Sequence, residues 1–90
     1  MKTHTVILRC QHGLHLRVAS EVTKIAQKSG AAVHIQCDGC PRADACSVLQ
    51  LLMLGAPAGT PLEISADGPE ENETAVLRAL AGVFEGGSGI

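Results

Sequence analysis

Aromatic side chains are almost absent from this 90-residue chain: Phe84 stands alone, with no Tyr and no Trp. That removes the stacking platforms on which single-stranded nucleic acids are held. It also leaves a core to be built from Leu, Ile, Val, Ala, Met and Cys. An excess of positive charge is missing too. Seven Lys and Arg against nine Asp and Glu, a formal net charge of −2, leave no basic face to follow a phosphate backbone. No apolar run approaches the roughly 20 residues of a membrane span. The opening Met1-Lys2-Thr3-His4-Thr5 lacks the apolar stretch of a secretory leader. These absences predict a cytoplasmic monomer with neither nucleic acid nor membrane as partner, its cysteines mostly reduced.

What is present suits a folded domain. A 46% hydrophobic and 18% charged composition is too apolar and too weakly charged for a disordered segment. The length allows one domain, expected over residues 1–86, with 87–90 (Gly-Ser-Gly-Ile) as a flexible tail. A chain of this size buries only about 60–65% of its unfolded surface, so its core is modest.

Hydrophobic periodicity divides the chain into seven elements. Thr3 to Cys10 alternates as a strand with Val6 and Leu8 inward, and Gln11-His12-Gly13 ends it. Leu16 to Lys28 carries Ala19, Val22, Ile25 and Ala26 at helical spacing and stops at Ser29-Gly30. Ala32 to Cys37 alternates with Val33 and Ile35 on one side. Asp38-Gly39 then favours a two-residue hairpin turn. The return strand, Cys40 to Ala43, is marked by Pro41 as an edge or irregular piece. Ser47 to Leu54 reads as a short apolar helix and Pro61 to Ala66 as a strand with Leu62 and Ile64 inward. The last helix starts near Pro69, with Glu70, Glu71 and Glu73 at its positive dipole end. Val76, Leu77, Leu80, Val83 and Phe84 make its buried stripe. This order predicts an α+β two-layer sandwich, an antiparallel sheet with the helices on one face.

One segment carries chemistry. In Gly13-Leu14-His15-Leu16-Arg17-Val18-Ala19 a histidine stands where the chain enters the first helix. First-turn N–H groups lack intrahelical partners and, with the dipole, form an anion cradle. Arg17 adds a permanent guanidinium able to fork onto phosphate oxygens. A neutral imidazole is a competent nucleophile near pH 7. The chemistry indicated is phosphoryl transfer through His15, driven by positioning and charge neutralisation. The plainer reading is a surface or capping histidine at a helix start.

The same segment resembles the G-[LI]-H-x-R-P-A signature of HPr, the histidine phosphocarrier of the bacterial phosphotransferase system. Ala43-Asp44-Ala45-Cys46-Ser47-Val48-Leu49 is similar to the family's regulatory-serine block. Leu52, Leu54, Gly55, Gly59-Thr60 and the acidic start of the last helix follow in family order, so the resemblance spans roughly residues 3 to 86. It implies an open-faced sandwich, a four-stranded antiparallel sheet carrying three helices. It further implies that His15 takes a phosphoryl group on Nδ1 from phosphorylated enzyme I, with Arg17 beside it, and gives it to enzyme IIA of a sugar phosphotransferase system. Ser47 matches the serine phosphorylated by HPr kinase, and Val48, Leu49 and Leu52 match the docking patch. A carrier of this kind is a substrate of its partner enzymes more than a stand-alone enzyme, and it needs no cofactor.

Two departures stand out. Val18 replaces the family's proline, restoring an N–H and giving up rigidity in the first turn. Cys46 replaces the lysine before the regulatory serine, after a loop one residue longer than usual. Ser47 also reads simply as an N-cap. The Cys46 and loop changes fall on the region a kinase must read; a regulatory adaptor of the same fold acting through Ser47 is the alternative function.

The four cysteines admit a third reading, a metal or redox module. A zinc site would need ligands converging from both ends of the sheet, so no metal is expected. Cys37 and Cys40 flank the Asp38-Gly39 turn at a separation open to a reversible bridge, which a reducing compartment works against. Cys10 and Cys37 are read as small core hydrophobes. Cys46, leading into a helix N-terminus, is expected to have a lowered pKa. His4 and His34 fall on strands facing solvent or a satisfied pocket, and His12 is a loop residue.

Overall fold

A computed structural model describes residues 1–9 and 13–86. The expectations for Cys10, His12 and the tail 87–90 lie outside the described residues. Seven elements follow in the order β1 (Lys2–Ile7), α1 (Leu16–Lys28), β2 (Ala32–Cys37), β3 (Ala43–Asp44), α2 (Val48–Met53), β4 (Pro61–Asp67) and α3 (Glu70–Gly86). The strands form one antiparallel sheet in the order β1-β4-β2-β3, so the last strand inserts between the first and second. Three helices pack with it in an open-faced sandwich, as the order of elements predicts.

Strand alternation decides which face is covered. Val6, Leu62 and Cys37 lie opposite one another across three strands, as do Ile64, Ile35 and Ala43, and all are buried. Residues in alternate register, such as Thr5, Glu63 and Gln36, lie on the other face. The expected helix-facing residues Val76, Leu77, Leu80, Val83 and Phe84 are buried as one stripe. Among the described residues no helix is long and apolar enough to cross a membrane.

Two strands differ from expectation. β1 ends at Ile7, but Leu8 remains fully buried because its N–H and C=O bond to Thr60 and Gly59 of a neighbouring loop. The return strand shrinks to Ala43–Asp44. Pro41 has no N–H to give the ladder, so pairing begins only beyond it.

The start of α3 is tied down by Glu73. Its Oε2 accepts the Gly68 N–H at 3.0 Å and lies 3.2 Å from the Met1 ammonium, and the residue is buried. The Gly68 hydrogen bond first, then the ammonium, holds its carboxyl below the usual carboxylate range, against the opposing effect of burial. A depressed folded-state pKa gives stability that is present above the unfolded value, about 4.3 for Glu. That stability is lost as pH falls through the lower folded value. Glu73→Gln should accordingly lower the melting temperature at pH 7. The gap to wild type should close as pH falls below about 4, followed by circular dichroism; a gap independent of pH would refute this.

Candidate functional site

The chain reaches His15 through a tightly braced loop. Gly13 sits at φ +73°, and a Cβ there would meet the Ala56 carbonyl oxygen at 2.6 Å. Leu14 is buried, and its N–H donates to that same Ala56 oxygen at 2.9 Å. On the other side, the Leu8 N–H reaches Thr60 O and the Arg9 N–H reaches Phe84 O, at 2.9 and 2.8 Å. The 56–60 loop is thus stitched to both sides of the site, and His15 stands on backbone rather than on flexible side chains. Gly13→Ala combines a left-handed backbone conformation with a collision against main chain. It should cost about 1–3 kcal/mol in a chemical-denaturation experiment, and it should also displace Leu14 and His15.

His15 is the N-cap of α1, in extended conformation at φ −110°, ψ 178°. Its Nδ1 accepts the Arg17 N–H at 3.3 Å, and its carbonyl accepts the Ala19 N–H at 2.9 Å as the first helical bond. Nδ1 therefore carries a lone pair, and the proton of the neutral ring belongs to Nε2. That Nε2 is sheltered from solvent. No acidic residue occupies the first turn of α1, so nothing there offsets the positive end of the helix. The Arg17 residue is exposed, two positions on in the first turn of the helix. The arrangement holds an unprotonated ring nitrogen at an electropositive helix end.

Val18 is wholly buried within the core cluster. Its position in the first turn reads as a site residue, yet its side chain anchors the helix to the core. Leu16 lies elsewhere: at about 100° per residue it falls at the margin of the stripe centred on Val22 and Ala26, and it is 61% exposed.

Ser47 caps α2 as expected, its Oγ accepting the Gln50 N–H at 3.2 Å. The turn before it is knitted by Asp44, whose Oδ1 accepts the Cys46 N–H while its own N–H donates to Gln50 Oε1, both at 2.9 Å. Ser47→Ala should cost about 1 kcal/mol of stability by thermal denaturation.

Of the three expected patch residues, Leu49 is 68% exposed, whereas Val48 and Leu52 are half-buried against the core. Sequence reasoning passed over Met53, which is 76% exposed. Leu49 and Met53 are four residues apart and share one face, opposite the fully buried Leu51. That spacing was the available signal. Leu54, just past the helix, is half-buried against the core.

The cysteines correct two expectations. Cys37 and Cys40 are joined by a disulfide across the Asp38-Gly39 turn, with 5.3 Å between Cα atoms, so Cys37 is a bridged as well as a buried residue. The Cys46 thiol is pushed up, not down, by desolvation and then by the neighbouring Asp44 carboxylate. Desolvation, with the acid next to it, outweighs any help from a helix of only six residues. Among the described residues no group of three His, Cys, Asp or Glu side chains is placed to hold a metal. His4 is exposed and His34 half-buried on the sheet.

Known proteins resemble this chain along most of its length. The family model described as the PTS HPr component phosphorylation site matches residues 2–85. Phosphocarrier protein NPr of Escherichia coli (strain K12) is 35% identical over 83 residues, covering 92% of this chain and 90% of that protein. Phosphocarrier protein HPr of Cupriavidus necator is 32% identical over 74 residues, covering 80% and 82%. The crystal structure of HPr-C-His from Thermoanaerobacter tengcongensis superposes with a TM-score of 0.88 at 27% identity, over 100% of this chain and 98% of that one.

Proposed function

Since the chain belongs to the HPr family of phosphotransferase-system phosphocarriers, we propose that His15 is its phosphoryl-carrying residue, loaded by enzyme I and unloaded onto an enzyme IIA. The observation that carries this reading is the Nδ1 lone pair held at the start of α1 by the Arg17 N–H. In transfer, that lone pair forms the new N–P bond as the bond between phosphorus and the donor's nitrogen breaks. The donor nitrogen keeps the electron pair. The Arg17 N–H, no longer engaged by Nδ1, turns to a phosphoryl oxygen, and the Arg17 guanidinium neutralises charge alongside. Carrying requires the two transfers to be nearly balanced in free energy. A site built from dipoles and one exposed cation stabilises the phosphoryl group without sequestering it.

Leu49 and Met53 on α2, with Leu16 beside His15, supply the apolar surface against which the partner enzymes would seat, and Val48 and Leu52 support it from the core side. A sugar-specific enzyme IIA in the cytoplasm is the acceptor we assign. Phosphorylation at Ser47 would add nearly two negative charges beside Leu49 and weaken docking. The test is incubation with enzyme I and phosphoenolpyruvate, then addition of a IIA protein. Acid-labile, base-stable label on His15 that passes to the IIA supports the reading. Absence of label on His15 would overturn it, and label that never leaves for a sugar-specific IIA would overturn the choice of acceptor.

A further inference from the structure

We infer that Cys37 and Cys40 form an exchangeable thiol–disulfide site that controls the mobility of the Cys40–Arg42 segment beside α2. Three observations carry this. The first is the sparse hold on that segment. β2 pairs with β3 only through His34–Asp44 and Ile35–Ala43, so Pro41 and Arg42 have no ladder partners opposite Cys37 and Gln36. The bridge, the Cys40 N–H to Cys37 O bond at 3.1 Å and the Gln36 Nε2 to Cys40 O bond at 3.2 Å stand where the ladder stops.

The second is the size of the closed loop. The sequence separation is 3, and the chain-entropy gain of a crosslink grows with loop length. Here Gly39, at φ +76°, and the turn hydrogen bond already close the loop, so the fold does not depend on the sulfur bond. The third is asymmetry of access. Cys37 is buried under the sheet's covered face, whereas Cys40 is only half-buried at the rim.

Exchange therefore starts at Cys40. A low-molecular-weight thiolate attacks Cys40 Sγ, the S–S bond breaks, and its electron pair and a proton go to Cys37 Sγ. A second thiolate takes the small thiol off Cys40 as a free disulfide, leaving two protein thiols. The same class of small disulfide drives the reverse reaction.

The consequence is local. Pro41, Arg42 and Ala43 form one wall of an apolar groove of about 250 Å³ whose other wall is Gln50, Met53 and Leu54 of α2 and its end. Opening the bridge loosens the first wall while the sheet stays intact. Because Met53 also belongs to the face assigned to docking, the bridge reaches that face, a link that rests on the carrier reading.

The experiment equilibrates the full chain in buffers of varied reduced-to-oxidised glutathione ratio, with alkylation and peptide mapping to count thiols at Cys37 and Cys40. Amide exchange at Cys40, Arg42 and Ala43, the residues of 40–43 that carry an N–H, is measured in each state. We expect interconversion within that range of ratios and at least a tenfold faster exchange at 40–43 on reduction, with β4 unchanged. Cys40→Ser should show the fast pattern at every ratio. A bridge that resists, or never forms at, every ratio would overturn the inference. So would equal exchange at 40–43 in the two states. Neither readout depends on phosphoryl transfer, so its failure is distinguishable from failure of the carrier reading, which His15 labelling tests.

Discussion

His15→Ala should abolish labelling by enzyme I and phosphoenolpyruvate, with no residual acid-labile phosphate, while lowering the melting temperature by only about 4–8 °C. The other described histidines do not stand in for it. His4 and His34 lie on strands, and neither stands at a helix N-terminus. The alanine variant keeps the extended backbone of a cap but loses the acceptor for the Arg17 N–H, a loss of about 1 kcal/mol at a helix start. The catalytic and structural effects therefore separate cleanly. Arg17→Ala is the informative companion. Its main-chain N–H survives, so only the guanidinium is removed. Charge-assisted hydrogen bonds contribute about 1.5–3 kcal/mol, which predicts roughly a 10- to 100-fold slower transfer in a rapid-quench experiment. Arg17→Lys should recover part of this, since an ammonium neutralises charge without the fork. Retained labelling in His15→Ala would place the phosphoryl group elsewhere and remove the basis of the proposed function.

Phe84→Ala should produce the largest loss of stability of any single substitution considered. Phe84 is the sole aromatic and is fully buried in the α3 stripe. Truncating a buried Phe costs about 3–5 kcal/mol through lost transfer energy and the cavity left behind. Small domains are stable by only about 5–15 kcal/mol in total. With about 4–8 °C lost per kcal/mol in a domain of this size, the melting temperature should fall by at least 12 °C. The Arg9 N–H to Phe84 O bond is main chain and persists, so the variant reports on the side chain alone. Because that bond links the end of α3 to the β1 exit near the site, labelling of the still-folded fraction should remain close to wild type. A loss below 1 kcal/mol would mean that the aliphatic layer collapses around the gap.

Much of the fold was legible because its signals are local. α1 runs over Leu16–Lys28 and β2 over Ala32–Cys37, as periodicity and the Gly30 and Gly39 breaks predict. The α3 stripe could be read because five apolar residues repeat at helical spacing and face one side. His15 could be read because a helix start is defined by residues adjacent in sequence. On α2 the sequence passed over Met53 alone. In a six-residue helix nearly every side chain is apolar, so composition cannot say which side is buried. The choice of Leu51 inward and Leu49 with Met53 outward is made by what the helix packs on.

The sequence by itself determined the elements, the aliphatic core and the placement of an imidazole and a guanidinium at a helix N-terminus, because each depends on residues within a few positions of one another. Tertiary structure alone decided the insertion of β4 between β1 and β2, since strand order is set by long-range pairing. It also decided that Gly13 must lie against Ala56, that Val18 belongs to the core, and that Cys37 and Cys40 join where Pro41 stops the ladder. Even the raised Cys46 thiol follows from this, because burial and a neighbouring carboxylate are properties of the assembled fold. Periodicity records which side of an element is apolar; only packing decides what that side meets.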